Sequence, residues 1–329
     1  SSLVIIAILW GFNGYFQSML WSPGMALLAN WWPGHRRGFA TGLANGFSGL
    51  GQVCAALAVS LSIIILPGFG WKAGFIIPAA IMILTGIIYL FFIKDSPKKI
   101  GLKDYVDPDA VKMEKDEELR ELVSQKGKLY PYIHLFKQWR FDCWLLIIAS
   151  SSIARYGLLT WIPTYYVQNF GVDIKEGALG TILLPLGMAF GTFIIPTISD
   201  KYFSENRLPM VIICAAAAGL TVFIFRGIDP GPIAGMLLFS AGFFIYGING
   251  IVWAYAIDVG GRVFAGTAAG ILDCFAYLGA AVQAIIFGSV LTSTGNWTLV
   301  FTAIVGVCAG MILLSIIAGW GLNKKKDIV

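Results

Sequence analysis

The sequence predicts an all-α membrane protein with many spans, and three observations carry that prediction. The chain of 329 residues is 57% apolar and only 12% charged, half the charge of an ordinary soluble domain. Positions 94 to 141 hold 20 of its 41 charged residues. The rest falls into nine long stretches almost free of charge, each able to cross a hydrocarbon core about 30 Å thick as a helix. A soluble enzyme, a disordered chain and a nucleic-acid binder are excluded: the apolar runs need lipid, and the net charge of +5 forms no basic stripe.

The nine stretches run over 3–28, 38–66, 71–93, 143–167, 176–198, 208–226, 233–257, 264–291 and 297–321. They are apolar throughout, which favours helices over the alternating pattern of barrel strands. Orientation follows from Lys and Arg, which cytoplasmic loops retain. Arg36, Arg37, Lys201, Arg207, Arg262, the charged segment and Lys324 to Lys326 fall on one side; Lys72, Lys175 and Arg226 fall on the other. The first set marks the cytoplasm, so the linker and the C-terminus are expected inside. Ser1 leads almost at once into a span, without the basic stretch or cleavage site of a signal peptide, and the chain reads as truncated. The five cysteines lie in or beside apolar spans without metal-ligand spacing and read as reduced packing residues.

An internal repeat sets the organisation. Gly42, Phe47 and Gly51 in the second span recur as Gly270, Phe275 and Gly279 in the eighth, 228 residues on, and Gly38 matches Gly266. Trp71 and Phe75 echo in Trp297 and Phe301 at an offset of 226. The first three spans therefore repeat as the last three. Six spans begin near 143, so their counterpart would begin about 85 residues before Ser1, and three helices of twelve are expected to be missing. The predicted domains are a three-span remnant of an N-terminal bundle (1–93), a charged cytoplasmic linker (94–141) with a short surface helix around 110–123, and a six-helix C-terminal bundle with a basic tail (142–329).

Two charges lie inside spans, Arg155 and Asp273. Each costs about 2.5–3.5 kcal/mol at a helix centre, so each should face a polar cavity or a partner. A guanidinium stays charged and binds phosphate or carboxylate through two parallel hydrogen bonds, which suits an anionic ligand at the midplane. Ser151, Ser152 and Tyr166 share the helix face of Arg155. Polar stripes recur elsewhere: Asn13 and Gln17; Asn45, Ser48 and Gln52; Tyr246, Asn249 and Trp253; Asp273 and Tyr277. They read either as the walls of one wet cavity or as hydrogen-bonding glue between helices. Gly38, Gly42 and Gly46, and Gly266 with Gly270, read as close-packing surfaces. His35 and His134 are the two histidines, and no nucleophile, phosphate-loop or metal-ligand pattern has the right context. No enzyme activity, cofactor or metal is expected.

The run from Arg155 through Tyr156 and Gly157 to Trp161, Pro163 and Tyr165 resembles the seventh-helix signature of the organophosphate:phosphate antiporter family within the major facilitator superfamily. So do Asn13 to Pro23, Asn30 to Trp32 with Arg37 and Gly38, Asp95 to Pro97, Ile245 to Gly247, Ala265 to Gly270, and Tyr277 to Gly279. The resemblance implies two six-helix bundles, alternating access about one central site, and phosphate or a phosphate ester held by two arginines. Arg155 matches the one on the seventh helix; its partner would precede Ser1. Tyr246 matches a site tyrosine and Asn45 a fifth-helix asparagine. Compared with the family's bacterial glycerol-3-phosphate transporters, Ser48 stands where a histidine is found, Ser152 where a tyrosine is found and Asp273 where glycine is found.

The candidate substrate-binding residues are thus Arg155, Tyr246, Asn45, Ser48, Gln52 and Asn249, with Asp273 as a coupling residue. The expected partners are a small anionic substrate, a counter-substrate (inorganic phosphate or a proton) and the lipid bilayer of a bacterial or archaeal plasma membrane. No nucleic acid is expected, and the protein should work as a monomer. The leading function is exchange of an organophosphate for inorganic phosphate. A proton-coupled symporter of a carboxylate or other organic anion, and a transporter-like ligand sensor, remain alternatives.

Overall fold

A computed structural model of the protein describes residues 3–32, 36–102, 110–171, 182–203 and 205–320. Among the described residues regular structure is helical. Three long helices come first: α1 (Leu3–Trp31), α2 (Arg37–Ile65) and α3 (Ala73–Phe92). Two shorter ones follow in the charged region, α4 (Ala110–Lys126) and α5 (Tyr130–Phe136). Six long helices complete the chain: α6 (Trp139–Phe170), α7 (Leu183–Tyr202), α8 (Leu208–Phe225), α9 (Pro232–Gly261), α10 (Val263–Thr294) and α11 (Trp297–Gly319). Among the described residues three long helices precede the charged region and six follow it, and eight of them are long and apolar enough to cross a membrane; the chain is an all-α membrane protein.

The long helices match the expected spans and overrun several. α6 starts four residues before the apolar stretch and ends three after it, because a helix continues its hydrogen-bond ladder into the interface where polar side chains reach water. The first part of the stretch 176–198 lies outside the described residues, and α7 is seen from Leu183. α9 and α10 are almost continuous: they turn at Gly261, whose φ of 56° lies in the left-handed region that a side chain disfavours. The surface helix expected around 110–123 is α4. The sequence did not point to α5, whose His134 ring meets Phe264 of α10 edge-on at 5.5 Å.

Burial divides the helices sharply. α6, α7, α8 and α9 bury half or more of their most apolar stretch, whereas α1 and α3 bury none of theirs. Trp10, Leu20, Leu90 and Phe92 are each at least 70% exposed, a surface that fits hydrocarbon and not water. The core lies among α6 to α11, with Ile147, Ile148, Leu158, Met188, Leu238 and Ile245 inside it. α7 and α9 approach there until a Cβ on Gly187 or Gly191 would strike the carbonyls of Phe239 and Phe243. A larger residue would force the backbones apart, and van der Waals packing is what drives helix association in lipid. At one end of the bundle Tyr165, Phe225, Trp297 and Phe301 interlock, the Tyr165 and Phe301 rings edge to face at 5.0 Å.

The cysteines only partly meet expectation. All five are free; Cys214 and Cys308 are buried in the core, but Cys54 and Cys274 are exposed. Cys54 is on α2 and Cys274 on α10.

Candidate functional site

Arg155 emerges from the middle of α6, where the chain has no other charge for more than ten residues on either side. Its guanidinium lies between two aromatic faces, 4.4 Å from the ring centre of Tyr156 and 4.5 Å from that of Tyr246 on α9. One Nη donates to the Tyr156 hydroxyl at 3.0 Å, while Nε has no hydrogen-bond partner among the described residues. The rings hold the cation through their negative faces and fix its plane. They leave its N–H edge with unused donors, the groups that a phosphate or carboxylate would accept.

The neighbouring polar groups follow the same seam. Ser151 donates to the carbonyl of Ile245 at 3.3 Å, which sets α6 against α9 at the level of Tyr246. Ser152, one turn before Arg155, and Asn249, one turn after Tyr246, are both buried, and neither Ser152 Oγ nor Asn249 Oδ1 has a partner among the described residues. Buried polar atoms without partners are rare and need an explanation; three of them around one seam fit a polar cavity. Asp273 and Tyr277 lie one turn apart on α10, the helix that packs along α6 where Gly279 meets Ala149. α6 and α10 are held side by side by the Trp161 indole, which donates to Gln283 at 3.0 Å.

Other expected members lie elsewhere. Asn45 is buried, but its amide donates to Thr41 one turn back on α2 at 2.8 Å. Ser48 is exposed, and the side chain of Gln52 lies outside the described residues. Asn13 and Gln17 bond each other at 3.3 Å on an exposed face of α1. Tyr166 does not join Arg155: eleven residues along the helix it packs with Phe170 and Phe225. Sequence reasoning missed Tyr156, since adjacent helical positions point about 100° apart and only the length of the arginine lets it fold back over the ring.

The first three helices touch the other six near one end. Gly42 on α2 lies against the Thr192 and Phe193 carbonyls of α7, where an added Cβ would come within 2.9 Å and 3.2 Å. Gly266 and Gly270 on α10 face Ser22 and Ala26 of α1. Trp21 meets Trp253 edge-on at 5.1 Å. These glycines are the close-packing surfaces expected from the sequence; the side-chain surroundings of Gly38 lie outside the described residues. Beyond these contacts, residues 4–20 of α1 are exposed.

A charge network closes that end. Arg207, just before α8, donates to Asp200 on α7 at 2.6 Å and to Asp258 on α9 at 2.9 Å. Burial opposes the arginine's charge, but the carboxylates of Asp258 and Asp200 outweigh it and hold the pKa above its ordinary value. Asp200 also accepts the backbone N–H of Phe39 in the first turn of α2 at 3.1 Å. The sequence offered only a weak signal, an acidic residue near the end of each of two spans with an arginine between them.

A cation in the middle of a long apolar helix, buried polar atoms without partners on the helices beside it and two groups of helices meeting near one end fit a membrane transporter. The Major Facilitator Superfamily profile matches residues 1–284, and the chain belongs to that superfamily. It is 28% identical to a probable hexose phosphate transport protein of Chlamydia pneumoniae, over 99% of this chain and 73% of the relative. It is 26% identical to the glycerol-3-phosphate transporter of Bacillus subtilis, over 100% of this chain and 74% of the relative. It is 28% identical to the membrane sensor protein UhpC of Escherichia coli, over 95% of this chain and 71% of the relative. The chain thus spans about three quarters of the length of these relatives. It is an integral membrane protein of a superfamily of transporters, not of enzymes.

Proposed function

We propose that the protein carries phosphate esters across the plasma membrane by alternating access and exchanges them for inorganic phosphate. The observation that carries this reading is Arg155, set at mid-span between Tyr156 and Tyr246 with donors unused. Hexose phosphate and glycerol-3-phosphate in the names of two relatives support a phosphate ester as the anion. Tyr246 orients the guanidinium, and Ser152 and Asn249 supply polar wall.

Residues 1–93 and 142–329 act as two halves that rock about this site, joined by the linker 94–141. The positive-inside pattern assigns the end at Arg207 and Phe39 to the cytoplasm. On this reading the contacts between halves at that end close the carrier toward the cytoplasm, and the ligand enters from outside. Rocking the halves to break these contacts would release the ligand inside. The carrier works as a monomer, with lipid and the two exchanged anions as its partners.

The test is counterflow into proteoliposomes loaded with inorganic phosphate and containing the full-length protein. Labelled glucose 6-phosphate or glycerol 3-phosphate should accumulate only with internal phosphate. Absence of any ester uptake, with Arg155→Lys behaving like wild type, would end this reading. The likeness to UhpC supports a second reading, ligand sensing; binding of esters without flux would favour it.

A further inference from the structure

The charged segment before α6 changes character along its length. Positions 94 to 121 mix 7 Lys/Arg with 9 Asp/Glu, whereas positions 122 to 141 hold Lys126, Lys128, Lys137 and Arg140 and no acid. The second stretch also carries Tyr130, Tyr132, Phe136, Trp139 and Phe141. Basic and aromatic residues without acids, directly before a membrane span, are what the anionic face of a bilayer attracts.

The helix in this stretch, α5, has two faces. Pro131 and Leu135 are buried, and the His134 ring packs on Phe264 in the first turn of α10 at 5.5 Å. Leu129, just before α5, falls on the other face with Tyr132, Ile133 and Phe136, at helical spacings of three, four and seven residues. All four are exposed, Leu129 at 71%. The Phe136 ring also meets Phe141, in the first turn of α6, at 6.2 Å. In that same turn Arg140 donates to the carbonyl of Trp320, at the end of α11, at 3.5 Å. α5 therefore sits where α6 and α10 begin and beside the end of α11. Trp139 and Trp320 are exposed there, as tryptophans are where spans leave the hydrocarbon.

Cations surround this apolar face. Lys126 lies 5.0 Å from the ring centre of Tyr130, and Arg140 lies 5.2 Å from that of Trp139. Arg140 Nε is buried and has no partner among the described residues. Among those residues no carboxylate pairs with any of the four basic side chains.

We propose that α5 and the first turn of α6 form a binding surface for anionic phospholipid of the cytoplasmic leaflet. Leu129, Tyr132, Ile133 and Phe136 enter the acyl boundary, and Lys137 and Arg140 donate to the lipid phosphate. An apolar face needs the acyl chains, and unpaired cations beside it need the headgroup charge; one anionic lipid meets both. Because α5 packs on Phe264, bound lipid would hold the linker against the start of α10.

The test is lipid binding by the full-length protein, purified in detergent and titrated with phosphatidylglycerol or phosphatidylcholine of the same chains. Native mass spectrometry counts the lipid retained. Wild type should hold phosphatidylglycerol about tenfold more tightly. Lys137→Gln, at an exposed position, should lower that preference about fivefold, and Lys137→Gln with Arg140→Gln should abolish it. Lys94→Gln with Lys98→Gln removes two charges on the same side and should leave the preference unchanged. Ile133→Gln with Phe136→Gln keeps every charge and should weaken both lipids. Equal retention of the two lipids by wild type, an undiminished preference in both Lys137 variants, or an equal loss in the Lys94 and Lys98 variant overturns the proposal. So does displacement of the lipid by inorganic phosphate beyond that by sodium sulfate of equal ionic strength, since the surface would then take a free anion. These outcomes are the same whatever ligand the protein carries, so they stand apart from the transport reading.

Discussion

Asp200 on α7 accepts the backbone N–H of Phe39, at the start of α2, at 3.1 Å while its other oxygen pairs with Arg207 at 2.6 Å. One carboxylate therefore ties the first group of helices to the second. It does so at a helix N-terminus, where unpaired N–H groups and the positive end of the dipole favour an anion. Arg207 is held in turn by Asp258 of α9, so three helices and a loop converge on one ion network around the buried Arg207.

Replacing Asp200 with alanine should loosen this end. The change leaves Arg207 buried with one carboxylate fewer, a loss of about 3 kcal/mol for a broken buried pair. Thermal unfolding of the purified protein in detergent should show a clear drop in midpoint, and Asp258→Ala, which leaves the Phe39 contact intact, should drop less. Equal midpoints for Asp200→Ala and wild type would show that the network adds nothing.

Arg155→Lys should cut exchange by about a hundredfold although the charge is kept. An ammonium is a point charge without the planar fork, so it cannot hold two oxygens at once or stack flat between two rings. Radiolabelled phosphate exchange measures this directly, and activity within threefold of wild type would contradict the geometry.

The ring of Tyr246 matters here more than its hydroxyl. Tyr246→Phe keeps the face over Arg155 at 4.5 Å and should hold affinity within about threefold. Tyr246→Leu should weaken ester binding by about five- to tenfold, the worth of one partly desolvated cation–π contact. Ligand titration of both variants separates the two cases; the reverse order would assign the role to the hydroxyl.

At Gly42 the expected effect is on conformation. A valine there would strike the Thr192 and Phe193 carbonyls, so the contact between α2 and α7 could not close. Binding should persist while exchange falls at least tenfold, since closure of this end is part of each cycle. Retained exchange in Gly42→Val would show that the two helices separate without functional consequence.

Much of this was legible in one dimension. Arg155 and Asp273 stand out because lipid makes any charge in a span costly, and the glycines at 42, 46, 266 and 270 mark contacts because a missing side chain matters only where another helix comes close. Asn45 and Ser48 were less legible. They share a stripe on α2, yet Asn45 bonds its own helix and Ser48 is exposed, since a stripe says which residues share a face and not what the face meets. Tyr166 failed for a related reason: over eleven residues on a 32-residue helix the same nominal face passes from the cavity seam to the aromatic end.

Hydrophobicity alone points to the class of protein and to most of its spans, because a bilayer demands about 20 apolar residues per crossing and satisfies no backbone polar group; eight of the nine expected spans are long and apolar enough among the described residues. The repeat and the sparse charges settle the plan and the candidate cation. Three features depend on how the helices turn and pack against one another: the aromatic clamp on Arg155, the Trp161–Gln283 bond between α6 and α10, and the grip of Asp200 on α2. Each joins residues from different helices, and a rotation of one helix by a quarter turn would undo it without changing any pattern along the chain.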